Sequence, residues 1–135
     1  MAEKTFIADE ALLNDVTDFV EVELEKAGFL FRDILRMKVC LEEVFINVAH
    51  YAYGDTTGDV VIGIEHDRVN NQVVFSVTDR GIPFDPLAKA DPDVTLSLEE
   101  RQIGGLGIFI CKKTMDDIKY NYVDGKNILT MIKKI

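Results

Sequence analysis

The feature that most constrains this chain is a change of apolar period between Tyr53 and Val60. Before it, apolar residues recur every three or four positions; after it, they alternate. A period near 3.6 buries one stripe of a helix, and a period of two buries one face of a strand. The first helical stretch, Ala11 to Ala27, places Leu12, Val16, Phe19, Val20 and Leu24 on one side. Asp9 is expected as its N-cap and Gly28 as its C-terminal stop. The second runs from about Leu30 or Asp33 to Tyr53, with a core stripe of Met37, Leu41, Val44, Phe45 and Val48, and Gly54 ends it. A short strand over Lys4 to Ala8 precedes both. Past the change, Val60, Ile62 and Ile64 alternate with Val61, Gly63 and Glu65, and Val73, Phe75 and Val77 alternate with Val74, Ser76 and Thr78. Asn70-Asn71 tolerates left-handed backbone, so these segments read as a hairpin. A third helix is expected from about Leu106 to Asp117. A closing hairpin of Ile118–Val123 and Asn127–Lys134 follows, around the type I′ turn Asp124-Gly125.

Strands that come in hairpins give a largely antiparallel sheet, and three amphipathic helices bury their stripes most readily on one of its faces. The expected fold is α+β: a two-layer sandwich with a mostly antiparallel sheet and three helices on one face. The 135 residues suit one domain, 1–135. The stretch from Asp79 to Gly105 holds all three prolines and has weak periodicity, which marks a lid or binding loop.

Charge narrows the partners. With 24 Asp+Glu against 15 Lys+Arg the net charge is −9, which argues against direct nucleic-acid or anionic-membrane binding. It does not argue against a nucleotide, whose phosphates backbone N–H groups and a metal can hold. It would steer a basic protein segment toward the chain. Cys40 and Cys111 lie in apolar helical contexts as buried thiols, with no disulfide framework. There is no apolar run of about 18 residues and no signal-peptide core, so a cytoplasmic location is expected.

Three places could carry chemistry. In Glu42-Glu43-Val44-Phe45-Ile46-Asn47, Glu43 and Asn47 are four apart, about 40° around the helix, and share a face beside the apolar stripe. A carboxylate and an amide oxygen there suit proton handling and sparse Mg²⁺ ligation, although such pairs are also common on solvated faces. Asp79-Arg80-Gly81-Ile82-Pro83-Phe84-Asp85-Pro86 follows a strand. Asp79 can accept a hydrogen bond from an exocyclic amine, and Gly81 permits close backbone approach, yet Asp, Gly and Pro are also plain turn residues. Gly104-Gly105-Leu106-Gly107 opens the last helix, where free N–H groups can cradle an anion or simply hinge the lid. Arg101 lies in the lid and could meet a terminal phosphate, although a lid arginine is as often just solubilising. His50 and His66 lack metal-ligand spacing, and Ser76 and Ser97 lack a nucleophile's partner.

In this order, E-x-x-x-N, D-x-G-x-P-F-D-P and G-G-L-G resemble the GHKL (Bergerat-fold) ATPase superfamily. The nearest resemblance is to the small anti-sigma-factor serine/threonine kinases of the RsbW and SpoIIAB type. It spans nearly the whole chain, including the closing D-G-K-N-I-L-T hairpin. It implies the histidine-kinase-like ATPase fold, ATP and Mg²⁺ as ligands, and a lid over about 87–103. It implies Glu43 as general base, Asn47 as Mg²⁺ ligand, Asp79 at adenine N6 and Gly81 shaping the purine pocket. Gly105 and Gly107 would meet the phosphates, Gly104 would hinge the lid, and Arg101 would be its phosphate contact. The implied substrate is a serine of a small anti-anti-sigma (STAS-type) protein, with a sigma factor as second partner and a homodimer as assembly. The implied unit is a lone domain, without dimerisation helices or a transducer domain.

The sequence departs from that pattern twice. Where the family often has His four residues past the helix Asn, this chain has Tyr51, and His50 is displaced by one, so that role is not carried over. Arg101 is separated from Gly104 by Gln102-Ile103. Two other readings remain open: a nucleotide-gated binding module without kinase turnover, and an interaction domain whose pocket is empty.

Overall fold

The computed structural model describes residues 1–54, 56–88 and 106–135. Within them, strand β1 (Ala2–Ile7) leads through a 3₁₀ turn (Glu10–Leu12) into helices α1 (Leu13–Ala27) and α2 (Phe31–Tyr51). Strands β2 (Asp59–Asp67) and β3 (Gln72–Asp79) follow, then helix α3 (Leu106–Thr114) and strands β4 (Asp117–Val123) and β5 (Lys126–Lys134). The strands form one sheet in the order β1-β2-β3-β5-β4, and every neighbouring pair is antiparallel. The expected two-layer α+β architecture is the observed one.

Alternation decides which sheet face is covered. Val73, Phe75 and Val77 of β3 are buried, as are Val60, Ile62 and Ile64 of β2 and Leu129 and Met131 of β5. Register aligns them across the sheet, with Ile62 opposite Val77, Phe75 opposite Met131 and Val77 opposite Leu129. Against this face α1 buries Val16, Val20 and Leu24, and α2 buries its Met37, Leu41, Val44, Phe45, Val48 stripe. Burying side chains of this size contributes roughly 1.5–3 kcal/mol each. The outward residues Val74, Ser76 and Thr78 are only partly covered.

Element ends differ from the sequence reading for local reasons. The Asp9 carboxylate accepts from Ala11 N at 2.9 Å, so the chain enters α1 through a 3₁₀ turn rather than as one helix from Ala11. α2 stops at Tyr51 rather than Tyr53: the carbonyl of its C-cap Ala52 accepts from Ile82 N, and the Tyr53 hydroxyl bonds Arg80 N and Asp59 O at the strand ends. α3 stops at Thr114 rather than Asp117. Asp116 N donates to Ile132 O at 2.8 Å and Asp117 pairs with Ile132, so the sheet takes over the backbone. Gly28 ends α1 in the left-handed region (φ 89°), and Asn71 (φ 53°) and Asp124 (φ 53°) supply the two hairpin turns. Most of the expected lid, residues 89–103, lies outside the described residues.

Candidate functional site

A pocket opens where the C-terminal half of α2 crosses the ends of β3 and β5. Val44, Val48, Val77, Ile108 and Leu129 line it with apolar surface, Tyr51, Phe84 and Tyr120 add aromatic rings, and Asn47, Asp79 and Asn127 are its polar groups. A mostly apolar cleft with a few fixed polar groups is the usual form of a small-molecule site.

Asp79 is the next inward position of β3 after Val77, so the strand's own period carries a carboxylate to the covered face, where it is 6% exposed. A buried carboxylate is tolerated only with donors around it. Its Oδ1 accepts from Gly81 N at 2.9 Å and from Asn127 Nδ2 at 2.9 Å. Asn127, equally buried, stands opposite Asp79 in the β3–β5 register. Its amide nitrogen also donates to Ile82 O at 2.8 Å, and its Oδ1 accepts from Phe84 N at 3.2 Å and from the Tyr120 hydroxyl. One β5 side chain thus fixes both the carboxylate and the turn that follows it.

The end of α2 clamps the same turn from the other side. Ile82 N donates to Ala52 O at 2.8 Å. Gly81 lies so close to Ala52 that a Cβ there would overlap the Ala52 carbonyl, which accounts for a glycine at this position. The Tyr53 hydroxyl accepts from Arg80 N at 2.9 Å and donates to Asp59 O. Burial is the main reason its phenol is pushed above the ordinary tyrosine range.

Glu43 and Asn47 are both half-buried and share a face of α2, as their spacing requires. Asn47 lines the pocket. Glu43, one turn earlier, packs against Gly107 in the first turn of α3, and any side chain at 107 would overlap its carboxylate end. Farther along this helix contact, Cys111 Sγ donates to Cys40 O at 3.6 Å. The hydrogen bond with Cys40 and then burial push the Cys111 thiol up, which fits the expected buried thiols. His50 points away and pairs with Glu10, while Tyr51 stands in the pocket wall near Phe84, ring centroids 6.2 Å apart.

The structure therefore places Asn47 and Asp79 in the lining of one pocket, Gly81 on the turn that bonds Asp79, and Glu43 against Gly107. Gly104, Gly105 and Arg101 lie outside the described residues. Among the described residues no three of His, Cys, Asp and Glu gather to hold a metal, and no helix is long and apolar enough to cross a membrane. Sequence reasoning missed Asn127, Tyr120 and Tyr53. Asn127 did leave a signal: it continues the inward alternation of Leu129 and Met131, yet it is polar.

Comparison with known proteins gives this geometry a setting. A model of the histidine kinase-like ATPase domain matches residues 6–133. A serine-protein kinase RsbW of Bacillus cereus (strain AH187) is 30% identical over 110 residues, covering 77% of this chain and 66% of the relative. The serine-protein kinase RsbW of Bacillus anthracis (strain A0248) is 30% identical over 108 residues, with the same shares covered, 77% and 66%. The match thus spans just under two thirds of the length of these curated relatives. A crystal structure of the RsbU and RsbW domains of a Mycobacterium tuberculosis protein superposes with a TM-score of 0.63 at 14% identity, over 99% of this chain and 32% of that one. At that identity the likeness is one of fold.

Proposed function

This chain belongs to the histidine kinase-like ATPase domain family, and from that membership we propose that it binds Mg·ATP and phosphorylates a serine or threonine of a protein partner. The partner is a small anti-anti-sigma (STAS-type) protein, and the chain acts as an anti-sigma regulatory factor with a sigma factor as its second partner. The observation that carries the nucleotide assignment is Asp79, a buried carboxylate in a mostly apolar pocket. Its oxygens accept the exocyclic amine of adenine, a charge-assisted bond contributing about 1.5–3 kcal/mol. The serine-protein kinase names of the relatives support the transfer step.

The remaining groups take roles that their placement allows. Val44, Val48, Val77 and Leu129 enclose the purine, and Gly81 shapes the pocket through the turn that bonds Asp79. Asn47 is a hard oxygen ligand on the phosphate side. With no carboxylate cage among the described residues, Mg²⁺ would be held by Asn47, phosphate oxygens and water, and would supply charge neutralisation. Gly107, in the first turn of α3, brings backbone next to Glu43. Gly105 and Gly107, with Arg101, complete the phosphate side in this reading, and Gly104 hinges the lid. Glu43 takes the proton of the attacking hydroxyl as its oxygen bonds to the γ-phosphorus. The bond from that phosphorus to the bridging oxygen breaks, and ADP leaves with that electron pair.

Two measurements test this. A calorimetric titration with ATP, with and without Mg²⁺, is expected to show metal-dependent binding near one site per chain. Labelled ATP and a STAS-type serine partner are expected to give labelled partner with the native chain and none with Glu43→Gln, whose ATP affinity stays within about threefold. No ATP binding would refute the assignment, and binding without transfer would establish a nucleotide-gated docking module instead.

A further inference from the structure

The hydrogen bonds around Asn127 go beyond holding a turn. The Phe84 N–H can only donate, so the Asn127 oxygen must face it. The carbonyls of Gly81 and Ile82 can only accept, at 3.5 and 2.8 Å, so the amide NH₂ must face them. The amide has one permitted orientation, and in that orientation it presents a donor, never an acceptor, to Asp79.

Two donors, Gly81 N and Asn127 Nδ2, therefore meet Asp79 Oδ1 and fill its two lone pairs. A carboxylate oxygen accepts hydrogen bonds and offers none. A ligand's donor is then met by Oδ2. We infer that Asn127 is the positioning residue that sets the base selectivity of this pocket, by holding Asp79 as an acceptor-only edge that admits a 6-aminopurine and rejects a 6-oxopurine. The inference rests on the nucleotide reading above. A 6-amino group gives Asp79 the donor it needs, whereas a 6-oxo group in the same place sets acceptor against acceptor, and only a displaced base could offer Asp79 its N1–H instead. Mismatched buried polar groups of this kind discriminate far more strongly than shape alone.

The test compares ATP with inosine triphosphate, which has a 6-oxo group and an N1–H in place of the 6-amino group and bare N1, on the full chain by calorimetry. The native chain is expected to prefer ATP by about 100-fold, in line with a lost charged hydrogen bond. Asn127→Asp puts a second carboxylate against the first, and the pair shares a proton that can be donated. ATP then weakens, inosine triphosphate gains, and the preference falls to about tenfold or less. Asn127→Leu removes the donor without adding charge and is expected to narrow the ratio in the same direction. Thermal melting identifies which variants fold. A change in the ratio separates selectivity from a structural role, because loosening the fold weakens both nucleotides together. A folded variant that keeps the native ratio overturns the inference while leaving the nucleotide reading intact. A native chain that binds ATP and inosine triphosphate equally overturns it as well. A native chain that binds neither overturns the nucleotide reading itself, and this inference with it.

Discussion

Strands β3 and β5 lie side by side, and the two ends of that pair differ in kind. At one end Val73, Phe75 and Met131 are wholly buried. At the other, the same alternation on the same face delivers Asp79 and Asn127, each 6% exposed and each hydrogen-bonded. Backbone geometry and register do not distinguish the two ends. Side-chain chemistry does: one end contributes stability through excluded water, and the other places fixed polar groups beside an apolar cleft. An inward strand position occupied by a polar residue is therefore more informative than the motif string around it.

The largest effect should come from the closed end. Phe75→Ala is expected to destabilise the fold by about 3–5 kcal/mol, the cost of a cavity under a large aromatic, read as a fall in melting temperature without nucleotide. At the open end, Asp79→Asn keeps the size and an acceptor oxygen, so its melting temperature should fall much less. Its ATP affinity should fall by about 30-fold, or about 2 kcal/mol. If Asp79→Asn cost as much stability as Phe75→Ala, the two ends would not be separable and Asp79 would be core.

What the sequence made legible follows the same division. Period gave the strands, the helical stripes and the hairpin turns, because burial on one face is written in every second or fourth residue. It also brought Asp79 to the pocket, since Asp79 keeps step with Val73, Phe75 and Val77. Asn127 escaped because its importance depends on register: it matters by standing opposite Asp79, 48 residues away in sequence. Tyr53 escaped for a related reason. Helical period assigned it to α2, but the helix ends two residues earlier and its hydroxyl bridges Arg80 and Asp59. The glycines read as ligand approaches at 81 and 107 have a protein cause as well, close packing on Ala52 and on Glu43. Gly104, Gly105 and Arg101 rest on motif resemblance.

Tyr53 gives the smallest effect and the sharpest use of the comparison, because it stands at the open end yet does not line the pocket. Its role is to tie the end of α2 to the strand that bears Asp79. Tyr53→Phe loses both hydroxyl bonds and should cost about 1 kcal/mol at neutral pH. The pH dependence has a definite sign. Burial raises the folded-state phenol above its unfolded value, so the unfolded chain loses this proton first. Tyr53's contribution is complete below about pH 10 and disappears as pH rises through the folded value. Melting curves from pH 8 upward should therefore show native and Tyr53→Phe chains converging at the alkaline end. The ATP to inosine triphosphate ratio should stay native in Tyr53→Phe, since Asn127 still holds Asp79. A changed ratio would mean that the α2 clamp, and not β5 alone, orients the carboxylate, and the boundary between scaffold and site would move to include the helix end.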